Sequence, residues 1–299
     1  MNALHVRSAL AALLLSMMIF APTSSSLSRQ NDSVRVSSSF QDFLHNLYKT
    51  QDSTARIRIV EEFLHRTGGP VINDSTVHFI YHGRARRVSV AGDINRWSAD
   101  TDTMLRVAGT DFFHLSISMH PAARFEYKLV VDSTWMLDPL NRQQVMGGFG
   151  PNSEVTMPLY RQPAEIHYRP DIPHGRLDTI RIHSNILQRT YTTFVYFPWD
   201  YSTSGHKRYP SIFVTDGGEY LSLARMNNVL DNMIADKRIR PVVAVFIDAR
   251  TDIHKAETST RMQDYAMRDS FVAFLANELR PAMLKKYRLD KRPAQTAIM

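Results

Sequence analysis

An antiparallel β-sandwich followed by an α/β sheet unit is the architecture the sequence predicts, and three observations predict it. Between Thr76 and Pro158 the apolar period is two, in short runs such as "STVHFIYHG" and "ARFEYKLVVD" separated by Gly, Asp, Asn and Pro. Beyond Gly175 continuous apolar runs, "SIFV" and "PVVAVFIDA", alternate with helix-like stretches, the pattern of parallel strands covered on both faces. Between the two regions, "RQPAEIHYRPDIPHG" carries three prolines and reads as a linker.

The composition suits this. At 299 residues, 43% hydrophobic and 22% charged, the chain is long enough for two cores. It has no cysteine, which leaves stability to packing and rules out thiolate metal sites. The net charge of +7 is spread along the chain without a dense basic run, so a nucleic-acid partner is not expected.

In chain order, residues 1–26 come first. Arg7, an uncharged apolar run from Ala9 to Ala21 and small residues to Ser26 follow one another as in a secretory signal peptide. The run is shorter than the roughly 20 residues that cross a bilayer. Export to the periplasm or the outside, with no membrane span after signal removal, is the expectation.

Residues 27–69 read as a polar linker, Ser28 to Ser39, and two short helices. "SFQDFLHNLYKT" puts Phe40, Phe43, Leu44 and Leu47 on one face; "STARIRIVEEFLHRTGG" does the same with Ile57, Val60, Phe63 and Leu64, starting at a capping-type Ser53 and stopping at Gly68-Gly69. Residues 70–160 form the sandwich and 161–175 the linker. Residues 176–299 supply strands at "TYTTFVYFP", "YPSIFVTDGG", "PVVAVFIDA" and "TAIM", with helices at "SLARMNNVLDNMIADK" and at "MRDSFVAFLANELRPAMLKKY", the latter presenting Phe271, Phe274, Leu275 and Leu279.

The sandwich region resembles the immunoglobulin-like early-set domains related to glycogen-binding modules. The resemblance rests on Gly92-Asp93-x-Asn95-x-Trp97, Phe125-x-Tyr127-Lys128, Trp135 with Asp138-Pro139, and Asn152-Ser153. It implies carbohydrate binding by Trp97, Lys128, Trp135 and Asn152, since indole faces stack on sugar C–H faces while Lys and Asn satisfy hydroxyls. The alternative is that Trp97 and Trp135 are sandwich core and rim. The structural role is the one expected.

The second region resembles the esterase D branch of α/β-hydrolases, in particular enterochelin-esterase-like and carbohydrate-esterase members that carry an early-set domain in front. The residues that carry this are "VYFPWDYSTSGHKRYPSIFVTDGGEY", "VLDNMIADKRIRPVVAVFIDAR" and "FVAFLANELRPAMLKKYRLDKRPAQTAIM". The implied fold class is a partial α/β-hydrolase behind an early-set sandwich. The implied activity is an exported serine esterase acting on an ester of a sugar, a xylan decoration or a siderophore. In such hydrolases the strand matching "TAIM" runs into Gly-x-Ser-x-Gly, and the acid and base follow it. The expectation is therefore a fragment in which all three catalytic side chains lie beyond Met299, inactive as it stands.

Within the chain, Gly218 is implied as the backbone amide of the oxyanion hole, against the plainer reading that Gly217-Gly218 only turns the chain. Asp248, Arg250, His254 and Arg261 follow a strand end and would either hold an anion or pair locally, local pairing being the expectation. No metal spacing or phosphate loop is present in the sequence, and no cofactor is expected. A non-catalytic carbohydrate-binding protein is the rival from another class.

Overall fold

The computed structural model describes residues 32–250, 258–266 and 268–299, with side chains from Phe40. Residues 1–26 and His254 lie outside the described residues.

Helices α1 (Asp32–Lys49) and α2 (Ser53–Arg66) pack as a pair. The first begins at Asp32, inside the stretch expected to be linker: residues 32–39 contain no Gly or Pro, so nothing stops the helix from propagating back from Phe40. Phe40, Phe43, Leu44 and Leu47 are buried as the spacing requires. In α2, Val60 and Phe63 are buried but Ile57 is exposed, so the inward face is one position narrower than expected. Its cap is Asp52 and not Ser53: the Asp52 carboxylate accepts the Ala55 N–H at 2.7 Å.

The sandwich consists of two antiparallel sheets. One contains β1 (Val71–Asn73), β2 (Thr76–His82), β5 (Leu105–Arg106) and β6 (Phe112–Ser118) in the order β1-β2-β6-β5. The other runs β4-β3-β7-β10-β9, from β3 (Val88–Gly92), β4 (Asp102–Thr103), β7 (Arg124–Val131), β9 (Gln144–Gly147) and β10 (Gly150–Thr156), and β8 (Thr134–Met136) pairs with β7. The alternation in β7 explains the layering: Phe125, Tyr127 and Leu129 enter the core with Phe79, Val90 and Phe113, while Arg124, Glu126 and Lys128 face outward. The α1–α2 pair covers the other side of the first sheet, where Phe40 and Phe63 meet Ile80 and Phe112.

One buried polar group in this unit is fully answered. Tyr127 Oη donates to Asp138 Oδ2 at 2.6 Å, Asn141 Nδ2 donates to Tyr127 Oη at 3.1 Å, and the Leu140 N–H donates to Asp138 Oδ1 at 2.9 Å. Burial raises the Asp138 carboxyl above its ordinary range, and these donors work against that rise.

The linker expected at 161–175 is laid along a helix. Asn232 Nδ2 donates to the carbonyls of Glu165 and His167 at 2.7 and 2.8 Å, and Asn228 Nδ2 to that of Ile166 at 2.9 Å. Asp231 accepts from the Gly175 N–H at 2.8 Å and from Tyr196 Oη at 2.7 Å, and its other oxygen lies 3.0 Å from His174 Nδ1. Asn228, Asp231 and Asn232 belong to α4 (Met226–Ala235), spaced three and four apart so that they share one face.

The second sheet unit has the order β11-β12-β14-β13-β15. β12 (Arg189–Phe197) is antiparallel to both of its neighbours, β11 (Arg176–Ser184) and β14 (Val243–Ile247), whereas β13 (Ser211–Val214) lies parallel to both β14 and β15 (Thr296–Ile298). All five residues of β14 are buried, because both faces are covered. One face meets Phe271, Phe274, Leu275 and Leu279; the other meets Leu230 and Ile234.

The first of the two expected helices, residues 222–237, begins only at Met226, and the second is interrupted. Residues 217–235 divide into α3 (Gly217–Ser222) and α4, with Arg225 in the left-handed region at φ 53°. After the short α5 (Arg261–Asp264), the later helix runs through α6 (Asp269–Phe274) and α7 (Arg280–Lys286), joined by a π-turn over Leu275–Leu279. Pro281 has no N–H for the ordinary ladder and its ring crowds the carbonyl four residues back; the wider turn just before it relieves that conflict, with the Arg280 N–H reaching Leu275 O.

Candidate functional site

β13 ends at Val214 and the chain turns through Asp216, at φ 50°, directly into α3. Gly217 and Gly218 occupy the first two helical positions, where N–H groups have no intrahelical acceptor. Neither glycine has room for a side chain. A Cβ on Gly217 would meet the Phe246 and Ile247 backbone, within 2.6 Å of Ile247 N; one on Gly218 would collide with the Asp248 carboxylate and the Arg250 guanidinium.

The charged residues around this turn are paired. Arg250 donates through Nε to Asp248 Oδ1 at 2.8 Å and through Nη2 to Oδ2 at 2.6 Å, and Arg261 Nε donates to Asp216 Oδ2 at 2.8 Å. The structure thus shows the local-pairing reading of Asp248, Arg250 and Arg261. Tyr265 Oη accepts the Asp216 N–H at 3.3 Å. Behind them, Asp264 accepts from Tyr191 Oη at 2.8 Å and from Thr260, and lies 3.2 Å from Arg189. Burial raises Tyr191 and Tyr265 well above the ordinary phenol range. Glu219, next to Gly218, is also raised, first by burial and then by the Asp216 charge, with Arg250 and Arg261 acting in the opposite direction.

A second set of predicted residues gathers elsewhere. Trp97, Lys128, Trp135 and Asn152 all line one cavity of about 930 Å³. The motif Gly92-Asp93-x-Asn95-x-Trp97 builds part of its wall. Gly92 is packed against the backbone of Glu126 and Tyr127, so that no side chain fits. Asn95 closes the turn by accepting the Gly92 N–H at 3.0 Å and donating to Val90 O at 2.8 Å. Asp93 accepts the Glu126 N–H at 2.9 Å and the Trp97 indole N–H at 3.0 Å. Arg96 and Trp97 both have positive φ, 55° and 60°, a conformation that costs energy for non-glycine residues and recurs at functional sites.

Of the core-and-rim reading of the two tryptophans, the structure leaves the rim. Neither belongs to the sandwich core, and Trp135 is 46% exposed. The reason lies in β8, a three-residue strand on β7 that places its ring on the outer face of the sheet. Asn152 donates to Glu126 Oε2 at 2.8 Å, and Arg124 spans Glu126 at 2.9 Å and Glu154 at 2.5 Å. Lys128 has no ion pair among the described residues.

Sequence reasoning missed three residues that the geometry brings in. Phe149 and Arg225 line the same cavity, and Glu219 touches the β9–β10 hairpin at Gly148. The run Gly147-Gly148-Phe149-Gly150 was the available signal, an aromatic held among glycines.

The second unit, with its parallel β14-β13-β15 core and helices on both faces, is an α/β-hydrolase-like fold. Residues 184–299 match the model of the Esterase family, whose description reads "Putative esterase". The chain is similar to the ferric enterobactin esterase of Salmonella typhimurium, with a TM-score of 0.56 at 18% identity over 79% of this chain and 69% of that one. It is similar to the enterochelin esterase of Shigella flexneri, with a TM-score of 0.53 at 20% identity over 79% of this chain and 67% of that one. The Shigella flexneri enterobactin esterase solved in the presence of enterobactin gives 0.54 at 20% identity, over 79% and 68% of the two chains. At these identities the likeness shows the fold. No curated protein matches the chain.

Proposed function

We propose that this chain belongs to an exported carboxylic-ester hydrolase and contributes the oxyanion side of its site. The observation that carries the reading is the Gly217-Gly218 turn off the end of a β-strand flanked on both sides by parallel strands, with the Gly217 and Gly218 amides given no acceptor among the described residues, where an oxyanion would be received. The match of residues 184–299 to an esterase family supports it. Gly218 N–H is the donor in this reading. Asp248 and Arg250 back the turn and are positioning residues.

A serine nucleophile on a strand-to-helix turn directly after β15 would stand beside this donor, with acid and base following. The sequence to Met299 contains no Gly-x-Ser-x-Gly. The mechanism is then acyl transfer: Ser attacks the ester carbonyl, His takes its proton and returns it to the leaving alcohol, and water releases the acid. The substrate is an ester of a sugar, a xylan decoration or a siderophore; the enterobactin esterases that share the fold favour the last, and the cavity beside the tryptophans the first two.

A second reading is carbohydrate binding by the sandwich without catalysis. It is favoured by Trp97, Lys128, Trp135 and Asn152 meeting around one cavity. Expression of the complete coding sequence and assay with p-nitrophenyl acetate distinguishes the two. Hydrolysis abolished by a serine-directed phosphonate supports the enzyme. Retention on insoluble xylan without hydrolysis supports the binding protein. Export rests on residues 1–26, and N-terminal sequencing of secreted material tests it.

A further inference from the structure

The cavity is bounded by two parts of the chain, one from the sandwich and one from the helices that follow β13. One side is the outer face of β7 with Trp97 and Trp135; the other is Ser222 to Arg225, the connection between α3 and α4. The β9–β10 hairpin stands between them. Its Gly148 approaches Glu219 so closely that a Cβ would lie 2.8 Å from Oε2, and Glu219 adjoins Gly218. Beside Gly148, Phe149 is 86% exposed although it lines the cavity, and Leu223 on the opposite wall is 43% exposed. Phe149, Trp97, Trp135 and Leu223 together give this one cavity three aromatic rings and an aliphatic side chain that a bound ring could cover.

The wall is also tied to the proposed oxyanion turn. Ser222 Oγ donates to Gly218 O at 2.8 Å. Four residues of helix separate them, about 6 Å along the axis at the usual rise. The cavity wall and the proposed donor thus belong to one short helix, Gly218 at its start and Ser222 at its end.

We infer that the β9–β10 hairpin, through Phe149, is the specificity element of this site, and that the sugar half of the ester lies between Phe149 and the Ser222–Arg225 wall. The ring faces meet Phe149, Leu223 and the indoles, while Lys128 and Arg225 supply donors to hydroxyls. Binding of this non-reacting half then raises kcat/KM for large esters alone. The catalytic consequence rests on the ester-hydrolase reading; the binding does not.

The test uses protein from the complete coding sequence, unsubstituted and as Phe149→Ala and Leu223→Asp, with p-nitrophenyl acetate and acetylated xylotetraose as substrates. Tryptophan fluorescence is titrated in parallel with unesterified xylotetraose. Each variant is expected to lose about tenfold or more in kcat/KM on acetylated xylotetraose and to keep the p-nitrophenyl acetate rate, with xylotetraose binding weakened in step. Thermal melts confirm folding, and Phe149 is exposed enough that its removal leaves the melt unchanged. Equal losses on both esters, unchanged kinetics on both, or no fluorescence response to xylotetraose overturns the inference. Xylotetraose binding that needs Phe149, in a protein that hydrolyses neither ester, overturns the hydrolase reading and leaves the hairpin's role standing.

Discussion

Both carboxylate oxygens of Asp248 are held by Arg250, at 2.8 and 2.6 Å, and this fork occupies the space a Cβ on Gly218 would need. The pair is a wall as much as an ion pair. Gly218→Ala has to push it aside, and overpacking of this kind costs about 1–3 kcal/mol. A melt of the variant should show a drop of several degrees, and the Gly218→Ala, Arg250→Ala double variant should recover part of it. A Gly218→Ala protein as stable as the parent would show that the wall yields freely.

Trp135→Ala should leave the melting temperature nearly unchanged, because the ring is 46% exposed and outside the core. Phe125→Ala, in the core on the neighbouring strand, should cost about 3–5 kcal/mol. Urea denaturation of the two variants side by side checks the contrast, and a large loss from Trp135→Ala would return that ring to the structural role.

The Tyr127–Asp138 bond sets a third expectation. Tyr127→Phe removes the donor to a buried carboxylate and should destabilise by about 1–3 kcal/mol, since Asp138 Oδ2 is left with a lone pair unanswered. Asp138→Asn in the same background should restore part of that, because it no longer buries an acid. Chemical denaturation of the single and double variants reads both.

Two histidines under α1 predict a pH dependence. His78 stacks on Phe40 at 4.3 Å and bonds Ser116 Oγ at 2.7 Å; His114 Nε2 lies 2.8 Å from Tyr48 Oη. Burial lowers both imidazoles below the ordinary 6.5, and the proximity of His114 lowers His78 further. The unfolded chain therefore takes up protons first as pH falls. Stability is full above about 6.5 and declines below it until the folded-state values are reached. Melts between pH 8 and pH 5 should show the decline, and His78→Phe should flatten it; a stability flat through that range would contradict the burial argument.

Much of this was legible in the sequence, and the limits have physical causes. The alternation Phe125, Tyr127, Leu129 specifies both the strand and its buried face, and the unbroken apolar run of β14 specifies burial on both sides. β4 and β5 were not legible, because two residues are too few to show a period. The break at Leu223–Arg225 has no Gly or Pro to announce it. Gly218 could be singled out because glycine pairs mark close approach; the exposure of Trp97 and Trp135 could not, since an indole fits a core and a cavity wall equally well and only the neighbouring strands decide.

The bonds between residues 165–175 and α4 bear on how the two units can be recombined. A connection whose carbonyls are met by Asn228 and Asn232, and whose last residues are held by Asp231, is part of the second unit's surface and not a free tether. A chimera that exchanged the sandwich and cut at Gly175 would strip the carbonyls to which Asn228 and Asn232 donate. A cut before Glu165 would carry the whole strip along. Met157 is in the sandwich core and the Leu159 N–H bonds Pro121 O, so the seam along which this protein can be reassembled from modules lies between Tyr160 and Glu165, well before the strand boundary at Arg176.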